Sequence, residues 1–322
     1  MHSSLPESRV VAAFAAIYLV WGSTFLAIAW AVETIPPFPM MAVRCLIGGG
    51  ILFGLSRLRE PDSAWPRPAE WLGSGAVGLF LFVGCHAVLA REEQFVPSGI
   101  SALCLATIPL FVPLLAWGFL GSGRPSPRTA MALFAAFLGV ALLVAGKTSG
   151  GGLSAADAAL LLLAAFSWAA GTIATRRVPL PASPMAAAGA PLLVGGLVLV
   201  AVSFASGEAQ DLQLSQVSGR SLAGLLYLVL LGTVVTFTAY IWLLGHVAPT
   251  RVATYAFVNP VVAVFLGWAL ADEQLTAATL VATAVIVAAV AVAVSDRSSS
   301  RPRRQVMIDS AEPVSPVAER GA

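Results

Sequence analysis

PSGISALCLATIPLFVPLLAWGFL (97–120) and VATYAFVNPVVAVFLGWALA (252–271) are the two stretches whose reading decides the fold. Neither contains Asp, Glu, Lys or Arg, and each reaches the roughly 20 residues that an α-helix needs to cross a hydrocarbon core. Shifted by 151 residues they coincide at Pro109 and Pro260, Trp117 and Trp268, Leu115 and Leu266, and Ala102 and Ala253, with Val96 and Val247 just ahead of them. Leucine, alanine and valine matches are cheap in so apolar a chain; the proline and tryptophan matches are not. A second shift, of 147, sets Trp21 on Trp168.

Working outward, eight more apolar stretches bring the count to ten: 10–32, 39–56, 71–90, 97–120, 129–146, 158–175, 184–206, 221–245, 252–271 and 274–295. They take up 211 of 322 residues, and nine of the ten carry no charge; Arg44 is the exception. Hydrophobic types make up 58% of the chain and charged types 11%, against about 25% charged in ordinary globular proteins, which excludes a soluble domain. Period-2 alternation is absent, and a bilayer tolerates only helices or closed barrels, so helices are expected. The first stretch follows Arg9 and is trailed by small residues, as a signal peptide would be. Its 23 uncharged residues exceed a signal core, so it is read as a span of the mature protein.

The halves 10–146 and 158–295 hold five spans each, and an odd number per half means that the second repeat is inverted relative to the first. The expected fold is an all-α polytopic membrane protein: ten transmembrane helices in two inverted five-helix repeats, followed by a disordered cytoplasmic tail over 296–322. Orientation follows from the cations. With the N-terminus inside, the cytoplasmic segments hold Arg9, Arg57, Arg59, Arg67, Arg124, Arg128, Arg176, Arg177, Arg251, Arg297, Arg301, Arg303, Arg304 and Arg320, and the outer ones only Arg91, Lys147 and Arg220. That split obeys the positive-inside rule with both termini cytoplasmic.

Several motifs fail in context. Gly73-Ser74-Gly75-Ala76-Val77-Gly78 spells a dinucleotide fingerprint, but no strand precedes it, and inside a span small residues mean close helix packing. Gly146-Lys147-Thr148 resembles the end of a phosphate loop, yet Ala141 stands where that loop needs glycine. Cys45, Cys85 and Cys104 have no metal or disulfide spacing. No nucleophile or metal cluster suggests an enzyme, no cofactor or nucleic acid is expected, and no protein partner is indicated.

Polar residues at membrane depth are the functional candidates, because each costs free energy unless partnered. Asn259 is the only asparagine; Pro260 follows it in mid-span, freeing the carbonyl of Ala256 for a local break, and Tyr255 lies one turn earlier. Asn259 either binds a ligand there or buffers a kink through interhelical hydrogen bonds. Trp21, Ser23 and Thr24 in span one and Trp168 in span six are placed to wall a cavity, with ordinary helix packing as the rival. Thr236, Thr238 and Tyr240 in span eight, Thr172 and Thr107 either line the same cavity or bond back to their own helices. His86 is a candidate proton-sensitive group or a satisfied core histidine. Arg44 either snorkels toward Glu33 or holds a substrate carboxylate. Glu92, Glu93, Asp272 and Glu273 read as solvated loop charges. No carboxylate lies in the middle of any span, which disfavours proton-coupled export of lipophilic cations.

Taken together, these phrases resemble the drug/metabolite transporter superfamily, EamA type. The likeness covers residues 10 to 295 and rests on Trp21-Gly22-Ser23-Thr24, on Pro36-Pro37 followed by Arg44, on Val96-Pro97-Ser98-Gly99-Ile100 leading to Ala106-Thr107-Ile108-Pro109-Leu110-Phe111, and on Tyr255-Ala256-Phe257-Val258-Asn259-Pro260-Val261 with Glu273 beyond. One departure is plain: after span four, where relatives often carry an acidic residue, this chain reads Gly121-Ser122-Gly123. The resemblance implies two EamA repeats around a central cavity and export of amino acids or similar small metabolites, although relatives span nucleosides, sugars and drugs. On that basis the chain is expected to be an inner-membrane secondary transporter of a neutral or zwitterionic metabolite working by alternating access. Trp21, Ser23, Thr24, His86, Trp168, Thr236, Tyr240, Tyr255 and Asn259 would bind substrate, and Pro109 and Pro260 would be paired hinges. Its partners would be the substrate, the bilayer and, if transport is coupled, protons. A multidrug exporter and a ligand-binding membrane sensor are the alternatives.

Overall fold

The computed structural model describes residues 7–146 and 153–296. Beyond Asp296, the expected tail lies outside them, as do Lys147 and Thr148 of the failed phosphate-loop motif. Among the described residues, nine helices are long and apolar enough to cross a membrane: Glu7–Ala31, Pro37–Arg59, Pro68–Glu92, Ser98–Leu120, Pro127–Ala145, Ala155–Ala174, Pro184–Ala205, Gly219–His246 and Ala277–Ser295. The ninth span in chain order is shorter and comes in two pieces, Pro249–Val252 and Tyr255–Ala271. No strand occurs among the described residues. Large apolar side chains such as Phe134, Leu163, Phe265 and Val281 stay exposed around the bundle, as a lipid-facing surface requires.

Local chemistry sets the helix ends. Proline opens spans two, three, five and seven, where its fixed φ suits the first turn and its missing N–H is not needed. Ser126, Ser183, Ser218 and Thr276 accept from free backbone N–H groups, and Ser154 with Asp157 forms a reciprocal capping box. Spans four and nine both end on a left-handed residue, Gly121 (φ 66°) and Asp272 (φ 54°), again 151 positions apart.

The repeats interlock by pairing equivalent elements. Span two packs most extensively on span seven and span ten on span five, while span nine lies against spans four and one; span one also lies against span eight, and span six lies against spans three and four. In lipid these contacts rest on close van der Waals approach, so small residues line them. A Cβ on Gly49 would sit 2.7 Å from that of Leu192, and one on Gly189 would sit 2.9 Å from the carbonyl oxygen of Gly49. The glycines at the ends of the failed fingerprint do the same: Gly73 faces the carbonyl of Pro179 and Gly78 that of Pro191.

Regular α-helix is interrupted symmetrically. Wide π-helical segments occupy Leu79–Ala87 in span three and Leu228–Val235 in span eight, with a shorter one at Ala16–Val20 in span one. Span four breaks at Ala106–Thr107 and span nine at Ala253–Thr254. The second break corrects the sequence reading, which put it at Pro260. The helix from Tyr255 runs straight through that residue. The chain yields instead two turns earlier, where Ala256 and Phe257 donate back only three residues, to Ala253 and Thr254. Pro109 is the second residue after the break in span four, a first-turn position that needs no donor.

The span two and span seven interface gives a paired test. Gly49→Leu should abolish the close approach and lower the yield and melting temperature of the purified protein. Gly50→Leu, whose Cβ would meet nothing within 4 Å, should leave both unchanged.

Candidate functional site

Midway along the bundle, between the two repeats, lies a cavity of about 130 Å³. Trp21, Phe25, Trp168, Phe237 and Tyr255 wall it, Arg44, His86, Thr24 and Asn259 supply its polar atoms, and Pro109 and Pro260 border it. The π segments explain how these side chains converge. The Trp21 indole N–H donates to the carbonyl of Gly232 (3.0 Å), inside the π segment of span eight. Trp168 meets His86 edge-on at 4.9 Å, inside the π segment of span three, and its neighbour Ser167 donates to the carbonyl of Phe80 there (2.8 Å). Each repeat thus sends its tryptophan against the widened helix of the other. Trp21 also meets Phe237 and Tyr255 edge-on and Tyr240 at a tilt, with ring centroids 5.1 to 5.5 Å apart, so one wall is a continuous aromatic cluster.

The polar atoms are unevenly satisfied. Oriented so that its amide nitrogen faces acceptors, Asn259 donates to the carbonyls of Ile17, Tyr18 and Tyr255, each at 3.2 Å. Two of these belong to the π segment of span one, so Asn259 ties spans one and nine together while it borders the cavity. Arg44 is 4% exposed; its Nε donates to the Thr233 hydroxyl at 3.3 Å, and one terminal nitrogen is buried with no partner. The Nδ1 of His86 is likewise buried and unpartnered. Pro109 and Pro260 offer no N–H to the carbonyls of Leu105 and Ala256, residues that also border the cavity.

Thr107, Thr172 and Thr238 bond back to their own helices, and three of the residues expected to bind substrate, Ser23, Thr236 and Tyr240, do not line this space. The Ser23 hydroxyl bonds to the carbonyls of Leu19 and Val20 and to the Tyr227 hydroxyl (2.6 Å). The Thr236 hydroxyl donates to Leu231 five residues back (2.6 Å), closing the wide turn that π geometry leaves open. Tyr240 stands behind Trp21 and Tyr255 as part of the aromatic cluster. Arg44 does not reach Glu33, which pairs with Arg220 at 3.3 Å. Phe25, Phe237 and Cys85 were missed; apolar residues in an apolar span carry no signal beyond their helical spacing.

The loop charges also differ from expectation. Glu92 and Glu93 are buried, 3% and 6% exposed. They lie at the end of the bundle remote from Glu7 and Ser295, here the distal end, where the turn after span nine meets the start of span four. There Glu273 accepts from the backbone N–H of Ser98 (2.7 Å), from its hydroxyl (2.6 Å) and from the N–H of Gly99 (3.0 Å). A carboxylate on a helix N-terminus answers both its free donors and its dipole, and here it latches one repeat to the other.

This arrangement has relatives. The model of the EamA-like transporter family matches twice, over residues 9–145 and 157–295. An Escherichia coli (strain K12) protein named uncharacterized inner membrane transporter YedA is 38% identical over 278 residues, covering 85% of this chain and 87% of that one. Protein PecM of Dickeya dadantii is 29% identical over 89% of this chain and 92% of its own length. A probable amino-acid metabolite efflux pump of Salmonella typhimurium is 26% identical over 82% and 89%. A solved crystal structure, 20% identical, shares the fold with a TM-score of 0.59 over 90% of this chain and 97% of its own. With both halves matched in full and the cavity set between them, the chain belongs to the EamA-like transporter family.

Proposed function

We propose that this transporter exports a small neutral or zwitterionic metabolite of the amino-acid class across the cytoplasmic membrane by alternating access, with both termini on the cytoplasmic side. The observation that carries the reading is the central cavity with the unpartnered buried nitrogens of Arg44 and His86, facing aromatic walls and, among the described residues, no carboxylate. A buried guanidinium nitrogen without an acceptor is costly, and a substrate carboxylate relieves it by a charge-assisted hydrogen bond. The ammonium end would then meet the carbonyls of Leu105 and Ala256, to which Pro109 and Pro260 offer no N–H, and the faces of the indoles. The name of the Salmonella relative supports the substrate class, and the names of several relatives support the inner membrane. The breaks in spans four and nine, each followed by its proline, are the places where a rocking movement would be absorbed.

Thermal stabilisation of the detergent-purified protein against amino acids, nucleosides, sugars and cationic drugs is the direct test, since a ligand of the folded state raises the melting temperature by mass action. A shift with a zwitterionic metabolite, lost in Arg44→Gln, is expected; a shift with lipophilic cations alone would sink the proposal. Trp168→Ala should weaken binding about tenfold or more, equivalent to about 1.4 kcal/mol or more, at unchanged protein level. Asn259→Ala should also cost stability, about 1–3 kcal/mol, because it removes the amide that ties the Ile17 and Tyr18 carbonyls of span one to span nine. Wild-type transport by both variants in proteoliposomes would move the substrate elsewhere.

A further inference from the structure

Span three ends at Glu92, and the next residue, Glu93, is turned inward with both carboxylate oxygens buried and without hydrogen-bond partners. The charged groups around it can be named element by element. Span two contributes Arg44, and the turn between spans nine and ten contributes Glu273. On its own segment, Arg91 stands 3.7 Å from Glu92. Behind these, Asp157 at the start of span six acts on Glu92, and Glu208 from the segment before span eight interacts with Arg91. Arg44 alone favours an ionised Glu93, and it makes no ion pair with it. Burial, with the Glu273 carboxylate behind it, pushes the Glu93 carboxyl well above the usual carboxylate range, against the opposing pull of Arg44.

The second observation is independent of that charge balance. Beside Glu93, the bonds from Ser98 and Gly99 to Glu273 hold the distal ends of the two repeats together. Release of a substrate at this end requires the latch to part, and parting it admits water to the Glu93 carboxylate. An ionised carboxylate is then hydrated; with the latch shut it is desolvated and without a donor.

We propose that Glu93 is a proton-binding site of the transport cycle, neutral while the distal latch is closed and ionised once the latch opens to the outside. Closing the empty carrier then takes one proton from the external water onto the carboxylate, giving a carboxylic acid, and reopening the latch returns that proton to the external water. The proposal rests on the alternating-access reading above. The closed state binds the proton more tightly, so it is favoured at low pH. Its advantage shrinks as pH rises from the ordinary carboxylate range toward the raised value, approaching about tenfold per pH unit.

Spin labels on Gln94→Cys and Gln274→Cys, both exposed and straddling the latch, would report the closed and open populations of the full chain in nanodiscs by pulsed dipolar spectroscopy, with Cys45, Cys85 and Cys104 replaced by alanine. No substrate is added, so a failure here is distinct from a failure to bind or transport. The closed fraction should rise as pH falls. Glu93→Gln, which mimics the protonated acid, should hold the latch closed at every pH, and Glu273→Gln should shift the populations toward open throughout. Glu93→Asp keeps a titrating group and should move the midpoint. A wild-type distribution indifferent to pH, a response that survives Glu93→Gln, or an unmoved midpoint in Glu93→Asp would overturn the assignment.

Discussion

Everything in this molecule depends on the satisfaction of backbone hydrogen bonds in a medium that offers none. A bilayer core has no water to take up a loose carbonyl, so regular helix is the default and any departure from it must be answered by a side chain. Several of the departures here are answered in this way. Hydroxyls of Thr233 and Thr236 donate to carbonyls five residues back in the π segment of span eight. The Trp21 indole takes the Gly232 carbonyl, Ser167 takes that of Phe80, and the Asn259 amide takes those of Ile17 and Tyr18. Three of these donors come from a different span, so the same bonds that allow the helices to deviate also hold the repeats against each other. The cavity lies where those irregular segments converge.

The two repeats are symmetric in backbone and unequal in chemistry. Spans four and nine end on left-handed residues 151 apart, and the following positions are Ser122 and Glu273. Glu273 carries a carboxylate that satisfies three donors at the start of span four; Ser122 has none to offer the start of span nine. The departure from the family pattern noted at Gly121-Ser122-Gly123 therefore acquires a physical meaning. A carboxylate latch joins the repeats at the distal end, and the equivalent turn at the other end lacks the group that would make one.

Much of the fold was legible because its signals are local or periodic. Uncharged length located the spans, proline and hydroxyl caps marked their starts, and the Pro109/Pro260 and Trp117/Trp268 matches exposed the repeat. Parts of the cavity were legible too, since Trp21, His86, Trp168 and Asn259 are residue types that a span rarely carries at depth. Three things were not. The break in span nine fell before Tyr255, since proline removes a donor without dictating where the chain yields. Ser23 and Thr236 turned to their own backbones, because a hydroxyl beside a π segment has a nearer acceptor than any ligand. Glu92 and Glu93 read as solvated because they follow the last apolar residue of their span.

The sequence by itself determined that this chain crosses a membrane as helices in two inverted halves, because hydrophobic length and backbone satisfaction are properties each segment carries alone. Only the tertiary structure decided which polar atoms are left over. Whether Arg44 finds Glu33 or a cavity, and whether Glu93 meets water or the underside of a latch, depends on which span stands opposite. That choice is made by close packing between small residues such as Gly49 and Gly189, whose partners lie more than a hundred residues away, too far for any local pattern to encode.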